Sequence, residues 1–200
     1  MQKRASLCYK KLNMSKKNSS VILKTHFRDY DELLGIYKLF KKKLNTFKNK
    51  SFLVSVSGGP DSLALTALTK SYSYEKYKSK IYYVLIDHKL RSNSSIEAKS
   101  VKTLLKNHGI FLNILINKYK ITKNIQGEAR IARYNLLKKF CKKKNIKNIL
   151  IAHNLEDQVE TFFIMLSRGS GLRGLSSMKQ INKLNGDIKL VRPLLDVKKL

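Results

Sequence analysis

The sequence predicts an α/β fold in which helices cover both faces of a doubly wound parallel sheet. Short apolar runs alternate along the chain with longer segments whose apolar residues have helical spacing. The apolar runs show little polar alternation, which is typical of parallel strands that are buried on both faces. Ligands of such sheets bind beyond the carboxyl ends of the strands, so the residues after each strand are the first candidates for a site.

Five strands are predicted, of which the first four are short runs of mostly apolar residues between polar segments and the last is a further candidate around Leu190 and Val191. They lie at 52–56, 81–86, 111–116, 148–152 and 189–193. The first strand is followed at once by a glycine-rich turn, and the second and fourth by clusters of polar residues. Three polar segments are therefore expected to meet at one edge of the sheet.

Five helices are predicted between and before these strands, at 30–47, 61–69, 94–107, 126–143 and 156–168. In the first, Leu33, Tyr37 and Phe40 recur with helical spacing. The second follows the glycine turn, and the third begins with Ser94-x-x-Glu97, a pattern that predicts a capping box. The fourth is long and basic, and the fifth begins with acids that complement a helix dipole.

The composition is strongly basic, with 42 Lys and Arg against 13 Asp and Glu and a formal net charge of +29. Such a charge attracts polyanions, of which RNA and DNA are the first candidates. The alternative is a bias of the coding sequence, since Lys, Asn, Ile and Tyr are all abundant. An apolar content of 42% excludes a disordered chain, and 200 residues suffice for one domain with a substantial core.

Two cysteines, Cys8 and Cys141, exclude a zinc site or a disulfide framework. No apolar run reaches the ~18 residues of a membrane span, so no membrane segment is predicted and the cytoplasm is the expected location. The first twenty residues carry six basic and no acidic side chains. A transit peptide is one interpretation, but a disordered basic extension over residues 1–24 is the expected one.

The loop Ser57–Ser62 has the composition of an anion cradle between a strand and a helix. Gly58 and Gly59 permit a tight bend and a close approach of backbone amides to a ligand, and Pro60 suits the first turn of a helix. Ser57 and Ser62 add hydroxyl groups, and Asp61 can hold a divalent cation against phosphate oxygens. The common nucleotide loop with a lysine after its glycines is absent. A plain glycine turn is the alternative.

Polar residues also follow the second and fourth strands. Asp87 can bind a metal or a ribose hydroxyl, or it can cap a turn, and His88 beside it is by itself a common structural histidine. Glu156, Asp157 and Glu160 form the densest acidic group in the chain. Stabilisation of a helix N-terminus is the alternative for these acids, but the neighbouring phosphate loop favours a site role for at least one of them.

Two basic segments complete the set of candidates. Arg130 and Arg133 lie three residues apart on one helix face, where a guanidinium can stabilise phosphate charge or simply be solvated. The segment from Arg168 to Leu175, which includes Arg173, is rich in glycine and cannot form a regular helix. It is expected to be a lid or an RNA-contacting loop, with a plain linker as the alternative.

These segments together resemble one family. Residues 57–62 are similar to the PP-loop of N-type ATP pyrophosphatases, a loop shared with GMP synthetases, NAD synthetases and tRNA thiolation enzymes. Segments 87–91, 128–134, 153–161, 168–175 and 192–195, in this order, resemble the successive signatures of the tRNA(Ile)-lysidine synthetase family. The resemblance covers about residues 52–195 and implies a Rossmann-like, adenine nucleotide alpha hydrolase-like fold for a catalytic domain at 25–200.

The resemblance implies a carbon–nitrogen ligase that uses ATP and Mg²⁺. ATP would activate C2 of the wobble cytidine in the CAU anticodon of tRNA(Ile) as an adenylate, and free L-lysine would then displace AMP to give lysidine. Asp61, Arg130 and Asp157 would act in catalysis, with Asp61 and Asp157 as metal ligands. ATP would contact Ser57, Gly58, Gly59, Pro60, Asp61, Ser62, Asp87 and His88. The substrates would contact Glu156, Glu160, Arg168 and Arg173.

The sequence departs from the family pattern at two positions. Asn154 stands where the family has a second histidine, and Glu156 where it has an aspartate, so Asn154 cannot serve as an acid or base. The chain ends at Leu200, and the further domains that help family members to hold tRNA are expected to be missing. Another PP-loop enzyme, such as a tRNA 2-thiolation enzyme, and a non-catalytic basic RNA-binding module are the alternative functions. A homodimer stays open.

Overall fold

The computed structural model describes residues 31–76, 79–119, 123–171 and 178–198. The described helices are α1 (Asp31–Asn45), α2 (Pro60–Glu75), α3 (Ser94–Asn107), α4 (Ile125–Lys144) and α5 (Leu155–Ser167). The strands are β1 (Ser51–Val56), β2 (Lys80–Asp87), β3 (Leu112–Ile116), β4 (Asn148–Leu150), β5 (Ile181–Asn185) and β6 (Ile188–Val191). The basic extension expected at residues 1–24 lies outside the described residues.

The strands form one six-stranded sheet in the order β3-β2-β1-β4-β6-β5. Every neighbouring pair is parallel except β5 with β6, which is antiparallel. From β1 the chain first builds outward through β2 and β3, and it then returns to place β4 on the opposite side of β1. The strand order therefore reverses between β1 and β4, which is the position where open α/β sheets bind ligands. The predicted fold class is confirmed.

The sheet is buried on both faces, which explains the continuous apolar runs of the sequence. Phe52 and Val54 of β1 pack with α1, α2 and α3 on one face, while Leu53 between them packs with Leu137 and Cys141 of α4 on the other. Helix α5 differs from the others because none of its residues is buried. In the described residues, no helix combines the length and apolarity that crossing a membrane requires.

Helix α2 extends six residues past its predicted end at Thr69, to Glu75. The helix is rich in serine and threonine, residue types that are common in turns, so its full length is hard to predict from sequence. In the structure Thr66 Oγ1 donates to the carbonyl oxygen of Ser62 across 2.7 Å, and Thr69 Oγ1 donates to that of Leu65 across 2.9 Å. These hydroxyls are thus satisfied within the helix. Beyond Thr69, the helix buries Tyr72 against Phe40 and Phe52.

Two further expectations change. Strand β5 is absent from the predicted set, and it forms a hairpin with β6 through Gly186, whose φ is +54°. The capping box predicted at Ser94 and Glu97 is wrong: the N-cap is Asn93, with no side-chain cap bond. Instead, Ser94 Oγ donates to Asp87 Oδ1 across 2.8 Å. A buried carboxylate needs hydrogen-bond donors more than a solvent-exposed helix end does, so it takes the hydroxyl.

Candidate functional site

The loop between β1 and α2 closes around a single oxygen atom. The backbone amides of Ser57 and Gly58 both donate to Oγ of Ser62, across 3.2 and 3.1 Å, and that hydroxyl donates to the carbonyl oxygen of Gly59 across 2.9 Å. Amides that converge on one acceptor form an anion-binding concavity, or nest. The serine hydroxyl therefore takes the place that an oxygen of a bound anion can occupy.

Gly58 allows this geometry in two ways. Its φ of +87° lies in the region that favours glycine, and a Cβ at this position would come 2.9 Å from Cγ2 of Val101. Helix α2 begins directly after the nest, with Gly59 as its N-cap and Pro60 in its first turn, as the sequence predicts. The amides at the helix N-terminus and the helix dipole add to the attraction for an anion. Asp61 is half-buried in the same turn.

Across the switch point, the loop after β4 is fixed by a reciprocal cap on α5. Oδ1 of Asn154 accepts from the amide of Asp157 across 3.0 Å, and Oδ2 of Asp157 accepts from the amide of Asn154 across 2.9 Å. Asn154 is the N-cap of α5, so it lies at the helix start. The cap commits one carboxylate oxygen of Asp157 to the backbone and thereby sets its position.

A buried arginine lies at the end of β6, one strand further along. Arg192 is only 4% exposed, and its Nε donates to Nδ1 of His153 across 3.0 Å. Its Nη1 donates to the carbonyl oxygen of Lys179 across 2.7 Å and to Oδ1 of Asn182 across 3.1 Å. Burial lowers the pKa of His153, and the charge of Arg192 lowers it further. At neutral pH this histidine is therefore an uncharged ring.

Helix α4 places further positive charge over this edge of the sheet. Arg130 and Arg133 are exposed, and both act to lower the pKa of His153, while Asp157 opposes them. The guanidinium of Arg130 lies 5.4 Å from the centre of the Tyr134 ring, a cation–π contact that orients it. The N-terminal half of α4 thus adds two exposed arginines to the buried arginine that follows β6.

Asp87, at the end of β2, has the contacts of a loop cap. Its Oδ1 accepts from the amide of Lys89 and from Ser94 Oγ across 2.9 and 2.8 Å, and its Oδ2 accepts from Ser95 Oγ across 2.6 Å. Burial raises the pKa of Asp87, but these hydrogen bonds outweigh burial and leave the pKa below its ordinary value. The carboxylate connects β2 to the start of α3. These contacts favour the turn cap over the metal or ribose ligand, the two interpretations that the sequence leaves open for Asp87.

Unlike Asp87, His88 makes no side-chain hydrogen bond in the described part of the chain: both of its ring nitrogens are buried without a partner. Burial lowers its pKa, and the charge of Arg133 lowers it further. Buried polar atoms are almost always paired in folded proteins, so an orphaned imidazole at the carboxyl edge of a sheet fits contact with a ligand. This favours the predicted binding role of His88.

The remaining candidates lie on α5 and beyond it. Glu156 and Glu160 are exposed and line a depression of about 410 Å³ together with Leu155, Val159 and Lys198. Arg168 is exposed at the C-cap of α5. Arg173 lies outside the described residues.

The comparisons with known proteins agree with this geometry. The PP-loop domain family matches residues 34–200. The chain belongs to the PP-loop family. Among its curated relatives are tRNA(Ile)-lysidine synthases: that of Wolbachia pipientis wMel is 41% identical over 79% of this chain and 37% of its own length. The enzyme of Orientia tsutsugamushi is 42% identical over 76% and 34%, and the chloroplastic enzyme of Gracilaria tenuistipitata is 35% identical over 84% and 51%.

This PP-loop chain spans about a third to a half of the length of those relatives. Among solved structures, the U34-tRNA thiolase NcsA from Methanococcus maripaludis superposes with a TM-score of 0.69 over 84% of this chain and 60% of that chain, at 18% identity. The FMN adenylyltransferase of Candida glabrata gives 0.51 over 96% and 60%, at 19% identity. Both likenesses concern the fold alone.

The PP-loop domain has few acids for a metal. Among the described residues there is no group of three or more His, Cys, Asp or Glu side chains placed to hold one. A dedicated protein cage is therefore excluded for this part of the chain. Asp61 and Asp157, in the first turns of the helices that follow β1 and β4, are carboxylates of the kind that holds Mg²⁺, which usually binds one or two carboxylates together with water and substrate phosphates.

His153 and Arg192 bond to one another at this edge of the sheet, a contact that the sequence does not predict. His153 carries little weight as a lone histidine, and Arg192 enters only as part of a family signature. The strand predicted at 189–193 includes Arg192. Strand β6 ends at Val191, so Arg192 follows a strand directly and obeys the same positional rule as the phosphate loop.

Proposed function

We propose that this chain catalyses formation of lysidine on tRNA(Ile) bearing a CAU anticodon, with ATP and free L-lysine as co-substrates. The observation that carries the proposal is the amide nest at the switch point of a chain that is 41% identical, over 162 residues, to a tRNA(Ile)-lysidine synthase. The nest supports the use of ATP, and the names of the relatives support tRNA(Ile) as the substrate.

In the first step the C2 oxygen of the cytidine attacks the α-phosphate of ATP, and pyrophosphate leaves. The amides of Ser57 and Gly58 and the N-terminus of α2 hold the phosphates, and the hydroxyl of Ser62 gives way to a phosphate oxygen. Asp61 and Asp157 would hold Mg²⁺, which would supply positive charge against the departing pyrophosphate. The exposed guanidinium of Arg130 stabilises the charge that grows at the α-phosphate.

In the second step the amine of lysine attacks C2, loses a proton, and displaces AMP. The depression beside α5 supports this step, because Leu155 and Val159 offer an apolar wall for a methylene chain while Glu156 and Glu160 offer carboxylates for an ammonium group. An attacking amine must be neutral, and the acids here can either bind the lysine or receive its proton. Glu156 carries the same charge as the family's aspartate on a longer arm.

The net charge of +29 supports the tRNA part of the proposal. Neutralisation of backbone phosphates provides most of the non-specific affinity for nucleic acid, and arginines such as Arg168 add planar contacts to phosphate. The competing proposal of a plain RNA-binding module accounts for this charge equally well. It gives no reason for an amide nest at the switch point and predicts that ATP has no effect.

The second competing proposal is 2-thiolation of tRNA, which requires a reactive sulfur near the site. Cys141 of α4 is fully buried in the core, and burial raises its pKa to about 12. A thiol in that state is a small apolar side chain and not a nucleophile. Cys8 lies outside the described residues. The only cysteine of the described region thus gives no support to thiolation.

The proposal is tested by incubating the 200-residue chain with Mg²⁺, ATP, labelled lysine and a transcript of tRNA(Ile) that carries CAU. We expect ATP–pyrophosphate exchange that depends on the tRNA, and incorporation of lysine at the wobble base. A CAU-bearing methionine tRNA is the matched control for selection of the tRNA. Exchange without any incorporation of lysine would redirect the proposal to another PP-loop reaction, and no effect of ATP would favour the RNA-binding module.

A further inference from the structure

The hydrogen bond between Arg192 and His153 constrains where the histidine carries its proton. A guanidinium has only donors, so the atom that accepts from Arg192 Nε must have a free lone pair. That atom is Nδ1 of His153. A neutral imidazole with a bare Nδ1 carries its single proton on Nε2.

The arginine is itself held too firmly to release the ring. It is 4% exposed, and the carbonyl oxygen of Lys179 and Oδ1 of Asn182 anchor its Nη1 while Nε faces the histidine. A second proton on Nδ1 would place an imidazolium against a buried guanidinium. Arg130 and Arg133 on α4 oppose that charge as well, and Asp157 on α5 is the one acid that favours it among the charged groups that affect the ring.

The position of His153 gives this fixed proton a use. In the register between β1 and β4, Val54 pairs with Leu150. Ser57 and His153 each lie three residues beyond this pair, Ser57 directly after β1 and His153 in the segment after β4, so they follow neighbouring strands on either side of the switch point. Nε2 of His153 has no hydrogen-bond partner among the residues that the structure describes.

We propose that Arg192 is a positioning residue that fixes His153 as its neutral Nε2–H tautomer, so that His153 donates a hydrogen bond to an oxygen of the bound nucleotide. The donor role rests on the proposed ATP-dependent function, whereas the tautomer does not. His153 then acts as a permanent donor and never as a general base.

The tautomer is read directly by ¹H–¹⁵N NMR of the imidazole nitrogens in the uniformly labelled 200-residue chain at neutral pH. We expect a protonated Nε2 and an unprotonated Nδ1 for His153, and a mixture of tautomers after Arg192→Lys, which keeps the charge but has no Nε donor. Asn182→Ala is the matched control, because it removes another contact of the same guanidinium and should leave the tautomer unchanged. A wild-type His153 that is protonated on Nδ1 would overturn the inference.

The donor role is read by calorimetric titration with the α,β-methylene analogue of ATP and Mg²⁺. His153→Gln keeps an uncharged N–H donor and should bind the analogue within about threefold of wild type, whereas His153→Ala should weaken binding about tenfold or more, the scale of one hydrogen bond to a charged group. Equal weakening in both variants would overturn the donor role. Failure of wild type to bind the analogue would contradict the proposed function and the donor role, and the NMR result on the tautomer would still stand by itself.

Discussion

Asn154 and Asp157 cap one another: each side chain accepts a hydrogen bond from the other's backbone amide, across 3.0 and 2.9 Å. This gives a physical role to Asn154, where the family resemblance implies a histidine. The asparagine begins α5 and fixes Asp157 in the first turn of that helix. The position therefore holds a neutral helix cap in this chain and not a titratable ring.

The cap makes a prediction about stability. Asn154→Ala should lower the free energy of unfolding by about 1 kcal/mol, because the amide of Asp157 loses its acceptor at the start of the helix. Asn154→Ser should retain most of the stability, since a serine hydroxyl caps nearly as well. Urea unfolding followed by circular dichroism measures both. An alanine variant as stable as wild type would mean that α5 is held by other contacts.

A second prediction concerns the bend of the phosphate loop. Gly58→Ala places a Cβ 2.9 Å from Val101 at a φ of +87°, and the left-handed backbone alone costs about 1–2 kcal/mol. The variant should be less stable and should bind ATP poorly. Gly35→Ala is the matched control: it lies inside α1 with nothing within 4 Å of the new Cβ, and it should stabilise the chain by about 0.5–1 kcal/mol. The same sign of change in both variants would contradict the argument from loop geometry.

The sheet was predictable from sequence because β1, β2, β3 and β4 are mostly apolar runs, and β6 keeps the buried pair Leu190 and Val191. Strand β5 was not, because its sequence from Ile181 to Asn185 contains Lys and Asn and its described side chains are largely exposed at the edge of the sheet. It forms as a hairpin with β6, and the local signal for it is the Asn185-Gly186 dipeptide at the turn between the two strands, which the strand prediction does not use. The apolar residues of α5 predicted a helix but not that the helix would bury none of them.

The site was predictable in its place and only partly in its contacts. Ligands of parallel sheets bind beyond the carboxyl ends of the strands, and this rule led to the phosphate loop after β1 and to the loops after its neighbours β2 and β4. Whether Asp87 caps a turn or binds a ligand depends on Ser94 and Ser95 folding back onto it, and a sequence leaves this open. The bond between Arg192 and His153 joins residues 39 positions apart, and no spacing rule connects them.

A third prediction separates metal binding from general charge. Asp61→Asn should reduce tRNA-dependent ATP–pyrophosphate exchange by at least about 100-fold, the scale of one preorganised charge contact. Asp187→Asn is the control, because Asp187 lies on the surface at the amino end of β6, where it pairs with Lys147 across 3.0 Å. That variant should exchange normally. Near-normal exchange by Asp61→Asn would remove Asp61 from the metal site.

The last prediction assigns the two arginines of α4. Arg130 belongs to the segment that resembles the family signature and lies against Tyr134, and Arg133 lies one turn further along the helix. A lysine keeps the charge but loses the planar fork that holds two phosphate oxygens at once. Arg130→Lys should therefore slow adenylation at least tenfold, about 1.4 kcal/mol in the barrier, with little change in tRNA affinity, whereas Arg133→Lys should change adenylation less. Single-turnover exchange and filter binding of tRNA measure the two quantities separately.

Normal adenylation with weakened tRNA binding in Arg130→Lys would place Arg130 on the RNA-binding surface, because a residue that contacts only the RNA backbone does not affect phosphoryl chemistry once the tRNA is bound.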